Sequence, residues 1–346
     1  MTTDPTFKIK VLRNGGYITE LTWEAGSAPV VDVNAEAEIK SSFQGSFLEN
    51  AEFDMIKDEL QPVMVSNGTE RSLGIYRCTT VSISNDGHGR RMRIEAYDRS
   101  WRVQNTRTET LLHFNAGEKY TDVILQLLAG AGIVLAVTTD SAAVLPAARE
   151  DWDIGTDYLS IINQLLSEIG YRSLWFDAAG YARIEPYTPP ESAAIVRQYS
   201  SRDISRLPMV PEYSEETDLF DAPNVFCCIC SNADRSDVLK ATSVNDSPLS
   251  SKSVFCRGMR ITEIIKVDQA ADQAALQAYA DKLKFESMLE TRTVQFAVPP
   301  DAGHGMWDII AIDHPDIGGI YLETGWGMTL EAGKAMTVNA RRTVIA

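Results

Sequence analysis

The chain has 346 residues, 44% hydrophobic and 23% charged, a composition that excludes a collagen-like, low-complexity or largely disordered protein and allows two to three domains. Its formal charge of −16 is spread as −3 over residues 1–105, −6 over 106–190 and −7 over 191–346, so no basic domain is available to neutralise phosphates and specific nucleic-acid binding is not expected. The first residues lack the basic-then-apolar run of a secretory signal, and the longest apolar stretch, residues 127–137, is interrupted by Gly130 and Gly132 and is too short to cross a bilayer. A protein made and kept in a cytosol, without membrane insertion, is expected. Five cysteines, Cys78, Cys227, Cys228, Cys230 and Cys256, form no regular framework, so reduced thiols are expected instead of a disulfide scaffold.

The first hundred residues alternate as strands do. Residues 7–13 and 17–23 flank Asn14-Gly15-Gly16, a hairpin turn signal. Further strands are predicted over residues 37–47, 75–84 and 91–97, the last two separated by Asn85-Asp-Gly-His-Gly, a tight reversal. Short strands with turns between them point to a small barrel or sandwich. Past residue 105 the period changes. Thr121 is expected to cap a helix through Val123, Ile124, Leu127 and Leu128 that ends at Gly130 and Gly132, before a strand over 133–138. Tyr158, Leu159, Ile161, Ile162, Leu165, Leu166 and Ile169 mark a 3.6-residue stripe, with Gly155-Thr-Asp at its start and Gly170 just past its end. A hairpin with its turn at Asp177-Ala-Ala-Gly180 follows, completing a small α+β module. Thr188-Pro-Pro-Glu-Ser-Ala-Ala reads as a boundary, because paired prolines stop both helix and sheet.

A second β-rich region is predicted from strands over 224–231, 254–257, 292–298, 307–313, 320–329 and 335–344. Between them Asp268 is expected to cap an embedded helix over about 269–287, with Leu276, Tyr279 and Leu283 on one side. The fold class is therefore α+β, mainly β, divided as 1–105, 106–190 and 191–346, and no repeat with a period of 20 to 50 residues is present.

No pattern carries catalysis. There is no G-x-S-x-G elbow, P-loop or H-E-x-x-H. Asp301, His304, Asp308, Asp313 and His314 offer metal-ligand chemistry, but Pro299-Pro-Asp-Ala-Gly-His-Gly and His314-Pro-Asp-Ile-Gly-Gly explain the same residues as turns, which is the preferred reading. The other histidines, His88 and His113, add no ligand spacing. Cys227, Cys228 and Cys230 are spaced wrongly for a zinc knuckle. In a strand, Cys228 and Cys230 share one face and Cys227 takes the other, as small core residues. Glu215 with Glu216, or Asp218 with Asp221, would suit a glycan hydrolase only if they flanked one bond, and 48 acidic residues produce such pairs by chance. Trp101, Trp152, Trp175 and Trp307 are read as core aromatics in preference to a glycan-binding surface. No catalytic residue, no metal ligand and no cofactor is assigned.

The order of β region, α+β module and β region resembles the hub proteins of phage tails. Ile39-Lys-Ser-Ser-Phe-Gln-Gly-Ser-Phe, Phe53-Asp-Met-Ile-Lys-Asp-Glu-Leu-Gln-Pro and Leu73-Gly-Ile-Tyr are similar to the N-terminal barrel of contractile-tail baseplate hubs, and Ala96-Tyr-Asp-Arg-Ser-Trp to the strand that leaves it. Residues 152–187 resemble the middle module of those hubs. Gly305-Met-Trp-Asp-Ile-Ile-Ala-Ile, Gly319-Ile-Tyr-Leu-Glu-Thr and Met328-Thr-Leu-Glu-Ala-Gly-Lys-Ala-Met resemble the closing strands of a second barrel.

The resemblance implies two tail-tube-like β-barrels beside a small module, in a homotrimer that joins the tail tube to a central spike. The implied partners are tube, spike and baseplate wedge or tape-measure proteins. A channel for DNA or effectors is also implied, in a virion baseplate assembled in the host cytoplasm. An acidic channel wall would repel phosphate and let DNA slide through without specific binding. The alternatives are a tail-associated peptidoglycan hydrolase or a carbohydrate-binding tail protein. The chain ends at Ala346 without the lysozyme or peptidase domain of larger hubs, so no lytic activity is expected.

Overall fold

Asn14 and Gly15 take successive left-handed conformations (φ 52° and 78°), the twist a tight hairpin turn requires, and so join β1 (Thr6–Arg13) to β2 (Gly16–Leu21). The computed structural model describes residues 4–24, 26–85, 89–188, 194–203, 205–217, 222–231, 238–267, 270, 272–288 and 292–342. The N-terminal region continues with β3 (Val30–Asn34), β4 (Ser41–Leu48), β5 (Glu59–Ser66), β6 (Thr69–Ser72), β7 (Tyr76–Asn85) and β8 (Arg90–Tyr97). The strand expected from residue 37 starts at Ser41, because Lys40 turns back to donate to Ala37 O (2.6 Å). The turn expected between β7 and β8 falls on residues 86–88, His88 among them, outside the described residues.

The middle region holds α1 (Ser100–Asn105), α2 (Tyr120–Gly130), β9 (Ala136–Thr138), α3 (Tyr158–Glu168), β10 (Trp175–Phe176) and β11 (Ala182–Ile184). The capping signals read at α3 are in place: Asp157 Oδ1 accepts from Ser160 N (2.8 Å), and Gly170, at φ 71°, turns the chain out of the helix. Thr121 does not cap α2. It lies within the first turn, its hydroxyl donates to Asp140 Oδ1 (3.2 Å), and Lys119 holds the cap position without a side-chain bond. β10 pairs antiparallel with β11 and β11 parallel with β9, and α2 and α3 pack with this small sheet around Leu128, Leu159, Leu165 and Ile184.

The C-terminal region runs β12 (Ile195–Ser200), β13 (Leu207–Pro208), β14 (Tyr213–Thr217), β15 (Val225–Cys230), β16 (Leu239–Val244), α4 (Val254–Arg257), β17 (Thr262–Val267), α5 (Gln273–Met288), β18 (Arg292–Val298), β19 (Ile309–Asp313), β20 (Gly319–Thr329) and β21 (Met336–Arg342). Residues 254–257 were expected as a strand and form a short helix instead. Ser253 Oγ accepts from Cys256 N (3.1 Å) and Gly258 closes the turn at φ 65°, so local capping overrides the apolar run. β15 to β17 also depart from the expected second barrel. They form their own three-stranded sheet, one face of which is covered by α5 through Leu276 and Ala280. Asp268 and residues 189–193, expected as a helix cap and a boundary, lie outside the described residues. Asp272 does the capping work seen at α5, accepting from Ala275 N (2.7 Å).

The molecule is mainly β. One large sheet runs β13-β12-β19-β20-β3-β4-β8-β7-β5-β1-β2, with β21, β18 and β14 continuing from β20 and β6 beside β5. Among the described residues this path is open, and its ladders trace no closed barrel. Single contacts also link strands that are not neighbours in this order: Leu48 N donates to Thr22 O (2.8 Å) beside a Trp23–Phe47 bridge, and Val210 N donates to Ala297 O (2.9 Å). The two β regions join where β20 pairs antiparallel with β3, and one apolar core, including Ile9, Phe43, Ile94, Tyr321, Met328 and Val338, runs through both.

Candidate functional site

The three regions meet around Trp307, which sits at φ 63°, a conformation bulky residues rarely adopt. The strain is held by the ladder beside it: Trp307 N donates to Glu323 O (3.0 Å) and Glu323 N to Asp308 O (2.9 Å). The left-handed turn presents the indole to the middle region. Trp175 packs edge-on against it with ring centroids 5.7 Å apart, and the Arg172 guanidinium lies 4.7 Å from the centre of the Trp307 ring and 5.6 Å from that of Tyr187. Lys282 of α5 approaches Tyr187 from the other side (5.6 Å), and Arg341 of β21 pairs with Glu36 of the N-terminal region (2.8 Å). A second tie lies nearby. Arg99, just past β8, forms a two-point bond to Glu59 (3.0 and 2.7 Å) and donates to Gly180 O (2.8 Å) in the β10–β11 turn. These groups join surfaces and include no nucleophile paired with a base.

Behind the junction lies a buried polar network. His304 Nδ1 bonds Glu323 Oε1 (2.8 Å), and His304 Nε2 bonds the Tyr199 hydroxyl (2.8 Å). Arg197 donates to Asp308 Oδ2 (2.6 Å), to Asp301 Oδ2 (3.3 Å) and to Gly303 O. Burial pushes the Glu323 carboxyl above its ordinary value, against the pull of His304. Burial acts in the same sense on Asp301, but the Gly303 N–H and Arg197 outweigh it and hold Asp301 below the usual carboxylate range. The five candidate ligands therefore do not converge. Asp301 and Asp308 share Arg197 as their cationic partner, and His304 spends both ring nitrogens. Asp313 accepts from Ser200 Oγ (2.8 Å) and Arg202, while His314 Nε2 donates to Pro211 O (3.1 Å). Among the described residues no group of three or more His, Cys, Asp or Glu is arranged to hold a metal ion.

The remaining candidates are structural in their surroundings. Cys228 and Cys230 are buried under α5 and Cys227 is on the opposite face, and burial pushes the Cys228 thiol up to about 11. Glu215 pairs with Arg292 (2.8 Å) and, as neighbours in β14, Glu215 and Glu216 point to opposite faces and cannot flank one bond. Asp218 and Asp221 lie outside the described residues. His113 is exposed and bonds Glu150 (2.5 Å). Trp152 is buried, edge-on to Phe114 at 6.0 Å and beneath the Arg149 guanidinium at 4.6 Å, with its N–H on Gln164 (2.9 Å). Trp101 is half-buried in α1. Arg99, Arg172, Tyr187, Tyr199 and Glu323 carry the junction and its network, and the sequence did not mark them, since their partners lie tens to over a hundred residues away.

No protein-family model matches the chain, and no curated protein matches it. Solved structures do. The tail protein of Neisseria meningitidis MC58 superposes with a TM-score of 0.68 at 13% identity, over 98% of both chains. The 43 kDa tail protein of prophage MuSo2 from Shewanella oneidensis gives 0.67 at 12% identity, again over 98% of both. The E. coli c3393 protein, described as a type VI secretion system component similar in structure to the T4 bacteriophage tail proteins gp27 and gp5, gives 0.50 at 11% identity over 99% of this chain and 74% of its own. The chain has the fold of these tail proteins.

Proposed function

We propose that the chain is a non-enzymatic structural subunit of a phage or phage-like tail tip: a hub that joins the tail tube to the central spike. The observation that carries this reading is the superposition, end to end, on two tail proteins of nearly the same extent. In this reading residues 1–105, 106–190 and 191–346 are the three functional divisions. The two β regions each act as a barrel unit facing the tube, with their open seams completed on assembly. Three copies would then present six units to a sixfold tube and a threefold face to the spike. The channel so formed passes DNA or effector proteins, and the charge of −16 keeps phosphate from sticking to its wall.

Two features support a mechanical role over a chemical one. In the buried network Arg197 pairs with Asp308 and His304 bonds Glu323, and the aromatic and cationic side chains at the junction pack the three regions together. A hub must transmit force without its parts sliding, and contacts of this kind fix one arrangement. The test is co-sedimentation of the purified chain with assembled tail-tube protein and with spike protein from the same particle. Joint recovery with both is expected. Recovery with neither, together with clearance of a peptidoglycan suspension, would replace the hub by a hydrolase.

A further inference from the structure

Arg172 carries a half-buried cation that the fold leaves without an anion. Its guanidinium lies against the rings of Trp307 (4.7 Å) and Tyr187 (5.6 Å), and its one hydrogen bond is a long one, to Thr188 O (3.4 Å). Among the described residues no carboxylate stands at ion-pair distance from it. Burial therefore pushes its pKa below the ordinary arginine value, in spite of the more distant charges of Glu185 and Asp308. Arg99, Arg149 and Arg197, by contrast, each meet a carboxylate. Arg172 lines a cavity of about 270 Å³ where the three regions meet. Lys282 and Arg341 add two cations to its wall, and Glu36 and Glu286 add two carboxylates, of which Glu36 already pairs with Arg341 at 2.8 Å. With every group ionised, three cations against two carboxylates leave one positive charge, in a chain at −16.

We propose that this cavity binds a carboxylate monoanion on a short apolar stem, with Arg172 as its principal partner. A guanidinium stacked on aromatic rings keeps its planar fork in one orientation and offers parallel N–H groups to a carboxylate. Trp307 and Leu322 supply apolar wall for the stem. Charge selects the ligand: a monoanion cancels the excess positive charge, whereas the second charge of a dianion would face Glu36 and Glu286 uncompensated. Size selects as well. The cavity is smaller than the roughly 300–1,000 Å³ of sites for drug-sized ligands, so it takes a small organic acid or one acidic side chain and not a nucleotide. The inference goes beyond the hub reading and stands apart from it, since every group it uses lies within one chain.

The experiment titrates the full-length chain with benzoate at neutral pH, followed by calorimetry and by tryptophan fluorescence, with sulfate at equal ionic strength as the dianion control. Benzoate should bind and change the fluorescence, because Trp307 forms part of the wall. Arg172→Lys keeps the charge and loses the fork, and should raise the benzoate dissociation constant about tenfold to a hundredfold. Lys282→Gln leaves the Arg172–Trp307 stack in place and should raise it about twofold to fivefold, which decides the matter where Arg172→Lys fails to fold. The peptide acetyl-Ala-Glu-Ala-amide separates the two sources: tighter binding than benzoate assigns the site to an acidic side chain of a partner protein, weaker binding to a small free acid. Three results overturn the inference and leave the hub reading standing: no binding of benzoate or peptide at tens of millimolar, sulfate binding as tightly as benzoate, or benzoate binding unchanged in the folded variants.

Discussion

Asp98 illustrates how one side chain serves several levels. It sits at the exit from the N-terminal region, where its carboxylate accepts from Ser41 N (3.1 Å) and Ser100 N (2.8 Å), tying the start of β4 to the start of α1. Burial raises its pKa to about 6, although those hydrogen bonds and Lys40 oppose the shift. Between the ordinary value near 4 and about 6, the folded protein holds a proton that the unfolded chain releases, so the Asp98 contribution makes stability fall as pH rises through that window. Asp98→Asn removes this contribution. The stability difference, wild type minus variant, should drop by about 2–3 kcal/mol between pH 4 and 7 in denaturant titrations. Parallel curves for the two proteins would refute this assignment. A contrasting residue is Arg149, fully buried, which is satisfied by Glu168 (2.8 Å) and by two bonds to Asp151 (2.7 and 2.8 Å), with Tyr120 also donating to Glu168. Asp98 belongs to the Ala96-Tyr-Asp-Arg-Ser-Trp stretch that carries part of the family resemblance, but neither its burial nor that of Arg149 is legible in the sequence, because a single Asp or Arg looks the same whether its partners are two residues or fifty away.

At the scale of elements, the β20–β3 ladder is the seam that unites the two β regions. It depends on Gly325, where a Cβ would stand 2.3 Å from Val33 O, a backbone atom that cannot move aside without disturbing the ladder. Gly325→Ala should therefore destabilise the protein by about 1–3 kcal/mol, measured as a lowered midpoint of unfolding, with near-ultraviolet circular dichroism reporting a change around neighbouring Trp326. An unchanged midpoint would mean that the seam tolerates widening.

The elements most legible in the sequence were those whose signals are local: the Asn14-Gly15 hairpin, α3 with Asp157 and Gly170 at its ends, and the split of Cys228 and Cys230 from Cys227. Those misread had two causes, one a local cap outweighing an apolar run and the other packing against a distant element. Ser253 and Gly258 cap residues 254–257 into a helix, and β15 to β17 leave the large sheet because α5 covers one of their faces. The meeting of Trp175 with Trp307 follows from tertiary packing that no period or turn signal encodes.

At the scale of the whole molecule, the chain shares its fold end to end with tail proteins and runs one apolar core through two β regions, and the reading as a part built for assembly is the one proposed above. In the proposed hub, other subunits would complete its open seams and cover its exposed apolar edges. The fold class was readable from element order, while barrel closure was not, since whether a sheet closes depends on register and on neighbours. The central claim is that this chain works as an oligomeric hub. The measurement that tests it most directly is the native mass of the purified chain, by light scattering with imaging of the same fractions by electron microscopy. The account predicts a mass near three times the 38.2 kDa chain and a ring-shaped projection. A monomer that persists at every concentration, and that takes up neither tube nor spike protein, would contradict it.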